Sequence, residues 1–209
     1  AAALAEVDAG RLSLDETITI DAKQLSPPFS PIADAWPARR DYTVRQLLAA
    51  AVGFSDNTAA DVLMRRIGGP GAVTGWMQLK NINAIRVDRY ERQIQPEMAG
   101  MASFREAWKG RAYAKAMATI PEDQRRAAAV RYMADPRDTT TPVGMLEFLT
   151  LLDEGELISK ASTHLLLRIM LASPSGANRL RAGLPKGAVL AHKTGTSRTD
   201  LGLTVAMNE

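Results

Sequence analysis

Ser55-Asp56-Asn57 is the stretch on which the reading of this chain turns. It follows a helix-forming run, Thr43 to Val52, that breaks at Gly53, and a second apolar helical run, Ala59 to Ile67, starts directly after it. A hydroxyl, a carboxylate and a carboxamide thus share a short connection between two helices. Rigid elements on both sides let such a connection aim polar groups into a cleft. Ser, Asp and Asn are also preferred N-cap residues, so a plain helix start explains the tripeptide too. Other constellations must decide between the two.

The second is Lys193-Thr194-Gly195-Thr196, at the end of a predicted strand over Ala188–Lys193. An ammonium group and two hydroxyls there offer a carboxylate both charge and hydrogen bonds, and the glycine admits a ligand close to the backbone. Such a strand can also present an N–H to a developing oxyanion. A strand running into a turn is the plainer account. The third comprises Arg89-Tyr90-Glu91 and Arg137-Asp138-Thr139-Thr140-Thr141-Pro142. These form either two sides of a loop neck pinned by Arg89 and Asp138, or two solvated surface segments whose ion pairs stabilise little.

Composition narrows the function classes. With 46% hydrophobic and 23% charged residues, the 209-residue chain has the make-up of a globular protein able to bury a substantial core. The net charge of +3 is slight and aromatic residues are only 5%, so neither a basic tail nor a base-stacking platform argues for nucleic acid. Cysteine is absent, which removes disulfide and thiolate chemistry. His164 and His192 are the only histidines, and neither has a second at metal-ligand spacing, so no metal site is expected. No apolar run is long enough to span a membrane, and no signal peptide is visible.

Helices are predicted at about 43–52, 56–67 and 70–79, the last with Pro70 in its first turn. Ser26-Pro27-Pro28-Phe29-Ser30-Pro31 reads as a surface loop, because proline removes a donor and restricts its predecessor. Arg11–Ile20 and 84–91 read as extended. A helical stretch rich in Ala, Arg and Lys runs from 98 to 133, broken at Ile120-Pro121. Thr141-Pro142 opens a helix with Met145, Leu146, Phe148, Leu149 and Leu152 as its apolar face. Further helices are expected over 159–171 and 176–181. Both ends look cut: Ala1–Ala9 reads as the last turns of a helix closed at Gly10, and 203–209 as a strand that stops without a partner.

In this order the constellations resemble class A serine β-lactamases. Ser-Asp-Asn followed by Lys-Thr-Gly is a motif pair of those enzymes and of penicillin-binding proteins. Val7-Asp8-Ala9-Gly10-Arg11-Leu12-Ser13-Leu14-Asp15, Gly68-Gly69-Pro70, Val87-Asp88-Arg89-Tyr90-Glu91 and Arg137-Asp138-Thr139-Thr140-Thr141-Pro142 look like further landmarks of class A, in the family's order. The resemblance implies an α+β fold of the β-lactamase/transpeptidase type. Here that is mostly the helical part plus the strand carrying Lys193-Thr194-Gly195, in a single incomplete domain over 1–209.

It also implies roles. Ser55 would relay a proton to the β-lactam nitrogen, Asn57 would contact the substrate, and Asp56 would be structural. Lys193 and Thr194 would hold the substrate carboxylate beside Gly195, and the Thr196 N–H would supply half of the oxyanion hole. Glu91 would activate water to hydrolyse the acyl-enzyme, with Gln95 helping to orient that water. Arg89 and Asp138 would pin the neck of the loop. No metal or organic cofactor is implied, the partner is a small β-lactam, a monomer is expected, and the location is periplasmic or secreted.

Three departures qualify the resemblance. No serine is followed three positions later by lysine, so the Ser-x-x-Lys nucleophile is expected upstream of Ala1, and the chain alone is expected to be inactive. Gln95 stands where the family usually has asparagine. The connection from Glu91 to Asp138, about 47 positions, exceeds the family norm, so 98–133 reads as a helical insertion. It is either a surface excursion with no catalytic role or a roof that alters which β-lactams fit. Two rival functions share the motifs: a D-alanyl-D-alanine peptidase, against which Glu91 argues, and a non-catalytic binding protein on the same scaffold.

Overall fold

A computed structural model describes residues 1–26, 28–101, 111–198 and 204–208. The chain opens with helix α1 (Ala2–Asp8), closed by an Arg11 N–H to Glu6 O bond of 2.9 Å with Gly10 at positive φ. Of the stretch expected to be extended at 11–20, only β1 (Thr17–Thr19) is strand. Helix α2 (Pro31–Ala35) follows, then β2 (Asp41–Thr43), antiparallel to β1 with Ile18 opposite Tyr42. Thr43 ends β2 and caps α3 (Val44–Leu48), its hydroxyl accepting from Gln46 N while the Gln46 side chain accepts from Thr43 N.

Helix α3 continues into a π-helical turn over Ala49–Gly53, which widens the backbone just before Ser55. Helix α4 (Asn57–Arg66) lies at the centre and packs on α2, α3, the next helix α5 (Pro70–Leu79) and α6 (Glu91–Met98). Its Ala59, Val62 and Leu63 join Leu4, Ile20, Leu25, Val44, Leu47, Ile82 and Leu152 in one apolar core. Gly69 is at φ +91, and a Cβ there would sit 2.9 Å from the Tyr90 hydroxyl, so glycine lets α5 start close against the segment leading to Glu91.

Beyond α6 come α7 (Arg111–Ala118) and α8 (Glu122–Met133), and part of the helical stretch expected at 98–133 lies outside the described residues. Helix α9 (Pro142–Asp153) is capped by Thr141 and α10 (Lys160–Leu171) by Ser159. Short α11 (Leu180–Gly183) leads to β3 (Gly195–Arg198), antiparallel to β4 (Thr204–Asn208).

Several expectations are corrected. The segment 26–31 is a loop with Pro28, Phe29 and Pro31 exposed, but two of its serines are not at the surface. Ser26 and Ser30 are buried because their hydroxyls bond the buried carboxylates of Asp61 and Asp56, and Pro31 already begins α2. Helix begins again at Glu91, seven residues before the expected start at Met98, despite the interior Pro96. Residues 188–194 form no ladder. Lys193 and Thr194 therefore precede β3 instead of lying in it, held by side-chain bonds described below. The 203–209 segment is strand over Thr204–Asn208 and does have a partner, β3, whereas 203 and 209 lie outside the described residues. On α9, Met145, Leu146 and Leu149 are exposed, and the buried positions are Gly144 and Leu152. The short helix expected at 176–181 is displaced to Leu180–Gly183, with turns before it.

Candidate active site

The π-helical turn and the capping of α4 together present Ser55. Phe54 N and Asp56 N both donate to Ala50 O at 3.1 Å, reversing the chain, and Ser55 sits at φ +57. A non-glycine residue in the left-handed region is strained and persists where the surroundings hold it. Asp56 supplies that hold. Fully buried, it caps α4 by accepting from Ala59 N (2.9 Å) and also accepts from Ser30 Oγ (2.8 Å) and Ile32 N (2.8 Å). The helix-cap reading of the tripeptide therefore describes Asp56, while its neighbour points elsewhere. Asn57 N donates to Phe29 O at 3.0 Å, and among the described residues Asn57 is tied to this cluster through its backbone only.

Ser55 faces Lys193. The Lys193 ammonium group donates to Ser55 Oγ at 2.5 Å and to Thr194 O at 2.6 Å, across 138 residues of sequence for the former. Because Ser55 Oγ accepts from the lysine, its own proton is left to point at another acceptor. Burial lowers the Lys193 pKa from the ordinary lysine value, partly countered by the Glu91 charge. Thr194 Oγ1 donates to Ser175 Oγ at 3.0 Å, and the buried His192 ring contacts Ser175 O at 2.9 Å. Arg179, which sequence reasoning passed over, donates to Gly195 O at 3.1 Å and to Thr196 Oγ1. A lone arginine in a turn carries no local signal for that role.

Glu91 begins α6 and is held from two sides. Gln95, one turn on, donates to its Oε2 at 2.9 Å. Asp61, fully buried in the middle of α4, accepts from Glu91 N at 2.7 Å and Arg92 N at 3.0 Å, capping α6 from a different helix, and from Ser26 Oγ at 2.6 Å. Asp61 was also missed in the sequence, where it is one acid in a helical run. Burial pushes the Glu91 pKa above the ordinary glutamate value. The Gln95 bond opposes that rise, Asp61 and Asp138 add to it, and Lys193 pulls down. Burial likewise raises Asp61, against its three hydrogen bonds. Lys193 and Glu91 thus feel each other's charge, which links the second constellation to the third.

The neck is closed by a compact network. Asp138, at φ +53, accepts from Asp88 N (2.7 Å), Arg89 N (3.0 Å) and Arg89 Nε (2.6 Å), while Asp88 accepts from Asp138 N at 2.9 Å. Arg89 is 5% exposed, which separates it from the solvated surface pair the sequence also allowed. Ile85 bridges Thr140 beside this, and Thr74 Oγ1 exchanges bonds with Val87 O and N at 2.7 and 2.9 Å.

Comparison with known proteins gives the family and the fold. The model described as the beta-lactamase enzyme family matches residues 1–206. Beta-lactamase VEB-1 of Pseudomonas aeruginosa is 29% identical over 211 residues, covering 100% of this chain and 59% of that protein. A beta-lactamase from Chitinophaga pinensis DSM 2588 superposes with a TM-score of 0.74 at 33% identity, over 99% of this chain and 64% of the other. An ancestral (GNCA) class A beta-lactamase does so at 0.70 and 34% identity, over 97% and 64%. The chain therefore spans a little under two thirds of the length of these proteins. It belongs to the beta-lactamase enzyme family and is like the class A serine β-lactamases within it.

Proposed function

We propose that the polypeptide containing this chain hydrolyses the amide bond of β-lactams through a serine acyl-enzyme, in a periplasmic or secreted setting, and so confers resistance to them. The observation that carries the reading is the Lys193 Nζ–Ser55 Oγ bond, set within electrostatic reach of the half-buried Glu91. Lys193 and Thr194 hold the substrate carboxylate beside Gly195, and Asn57 contacts the substrate from α4. The nucleophilic serine's oxygen bonds to the lactam carbonyl carbon as the amide C–N bond breaks, and Ser55, its oxygen held by Lys193, gives its proton to the ring nitrogen and is reprotonated by the proton the nucleophile gives up. The Thr196 N–H stabilises the oxyanion.

In the second step Glu91 takes a proton from a water that Gln95 helps orient. The water oxygen attacks the ester carbonyl, and the serine oxygen leaves and is reprotonated. A base whose pKa is raised by burial is better matched to neutral pH than an ordinary carboxylate. The reading requires a nucleophilic serine supplied from outside these 209 residues, since the chain carries no Ser-x-x-Lys. Asp56, Arg89 and Asp138 act by holding Ser55 and the neck in place.

A peptidase that acylates but turns over slowly has no use for the Glu91–Gln95 pair, which favours the hydrolase. Purified full-length polypeptide incubated with benzylpenicillin tests the reading. Multiple turnovers, seen as loss of ring absorbance, are expected. A stoichiometric burst without turnover would point to a penicillin-binding protein, and no reaction or adduct to a non-catalytic binder.

A further inference from the structure

Arg65 and Arg66 end α4 side by side, and the C-terminus of a helix favours cations whatever else they do. Their partners differ. Arg66 pairs with Glu16 at 2.7 Å and also reaches the Arg11 carbonyl. Arg65 is half-buried, its guanidinium makes no hydrogen bond or ion pair among the described residues, and its Nη1 is buried without an acceptor. Holding a guanidinium group inside the protein with an unmet N–H costs stability, so packing alone is a poor account of it.

What Arg65 meets is the approach to Glu91. Its Cζ lies 5.0 Å from the centroid of the Tyr90 ring, within cation–π range, and Tyr90 directly precedes the base. The backbone of Gly69 crowds the same side chain, since the Tyr90 hydroxyl sits 2.9 Å from where a Cβ on Gly69 would be. Tyr90 in turn starts α6: its carbonyl accepts from Gln93 N and its N–H donates to the Gln93 side chain, both at 2.9 Å.

Arg65 also acts on a second group. Asp61 lies one turn earlier on α4, a spacing that puts the two side chains on one face. The Arg65 charge opposes the rise that burial causes in the Asp61 pKa. The acid facing Asp61 from α6 is Glu91, whose own pKa Asp61 raises, while Arg92 sends its guanidinium to the Lys23 carbonyl and the Ser26 loop contributes a hydroxyl. Ionised Asp61 is the form that best accepts the Glu91 and Arg92 N–H groups. One guanidinium thus bears on the ring just before the base and on the carboxylate that caps the base's helix.

We propose that Arg65 is a positioning residue for Glu91, clamping the Tyr90 ring beside Gly69 and supplying the cation on the Asp61 face of α4, so that α6 starts with its first carboxylate aimed at the acyl-enzyme. This rests on the reading of Glu91 as the deacylating base. Arg65 acts through Tyr90 and Asp61, not on the reacting atoms.

The test compares acylation and deacylation of benzylpenicillin in the full-length polypeptide by quenched-flow mass spectrometry. Arg65→Met keeps the length of the stem and removes the charge. It is expected to slow deacylation by about three- to thirtyfold, the fold-change that one cation–π contact corresponds to, with acylation within about twofold. Arg65→Lys keeps the charge and should recover part of the loss, which a role in packing alone would not produce. Tyr90→Leu should slow the same step, and the double variant with Arg65→Met should be no slower than the slower single one. Arg66→Ala, which releases Glu16 on the neighbouring position, should change neither step. Hydrogen exchange at the Glu91 and Arg92 amides, compared with wild type at each pH, should speed up in Arg65→Met, and more so as the pH is lowered toward the Asp61 midpoint. Wild-type deacylation and exchange in Arg65→Met, equal slowing of acylation and deacylation, or identical behaviour of the Met and Lys variants would overturn the role of Arg65. If Arg65→Met does not fold, Arg65→Gln and Arg65→Lys carry the same comparison. Failure of Glu91→Gln to trap an adduct would overturn the reading of Glu91 instead, so the two failures are distinguishable.

Discussion

Replacing Asp56 separates a carboxylate that holds the site from one that does chemistry. Its side chain is fully buried and accepts from Ala59 N, Ile32 N and Ser30 Oγ, all within 2.9 Å. In Asp56→Ala the loss of the α4 cap costs about 1 kcal/mol. The Ile32 N–H, buried and orphaned, costs about 1–3 kcal/mol. Ser30 loses less, because its hydroxyl keeps Thr58 Oγ1 at 2.7 Å. Relief of the carboxylate's desolvation offsets part of the sum, leaving a net destabilisation of about 3 kcal/mol. Asp56→Asn retains one accepting oxygen and should cost about half as much. Denaturant unfolding of the full-length polypeptide reads both values. Activity per folded molecule should fall only as far as the Ser55 turn loosens. An Asp56→Ala variant within about 1 kcal/mol of wild type, yet inactive while folded, would refute the structural role.

Ser55→Gly relieves a non-glycine residue at φ +57, so it should hold or raise stability by up to about 1 kcal/mol while removing the hydroxyl that meets Lys193, with acylation slowed; thermal unfolding and burst rates read the two effects. Turnover should be bell-shaped in pH. Burial raises the Glu91 pKa, so the base is protonated below a midpoint lying above the ordinary glutamate value and the acid limb moves toward neutrality. Burial lowers the Lys193 pKa, so its charge is lost at a lower pH than for a free lysine and the alkaline limb moves inward. Gln95→Ala removes a bond that favours the ionised glutamate and should carry the acid limb higher still, and a limb that stays put or moves down would contradict the geometry.

Local signals carried much of this architecture. Thr43, Thr141 and Ser159 announce the helices they cap, and Pro70 starts α5 as expected. Ser-Asp-Asn and Lys-Thr-Gly stand out because their residue types are chemically unusual together. The parts that were not legible depend on partners distant in sequence. Asp61 caps a helix 30 residues away, so no spacing rule reaches it. The helix at Glu91 carries an internal proline and is sustained from outside, which its own propensity does not show. Ser26 and Ser30 belong to a Pro-rich loop that looks exposed until the carboxylates of α4 are placed beneath it. The 188–193 run, apolar through Ala191, reads as a strand, yet a strand needs a neighbouring ladder, and here side-chain bonds to Ser55 and Ser175 hold the segment. Within 98–133 the described residues hold α7 and α8, while the tie of Arg89 to Asp135 just beyond them joins residues 46 positions apart and no local pattern announces it.

The central claim is that Glu91 activates the water that frees the enzyme from its acyl intermediate. The most direct measurement is intact-mass analysis of full-length Glu91→Gln and wild type after mixing with benzylpenicillin. The mutant is expected to accumulate a covalent penicilloyl adduct while wild type turns over and shows little. Equal accumulation in both proteins, or none in the mutant, would contradict it.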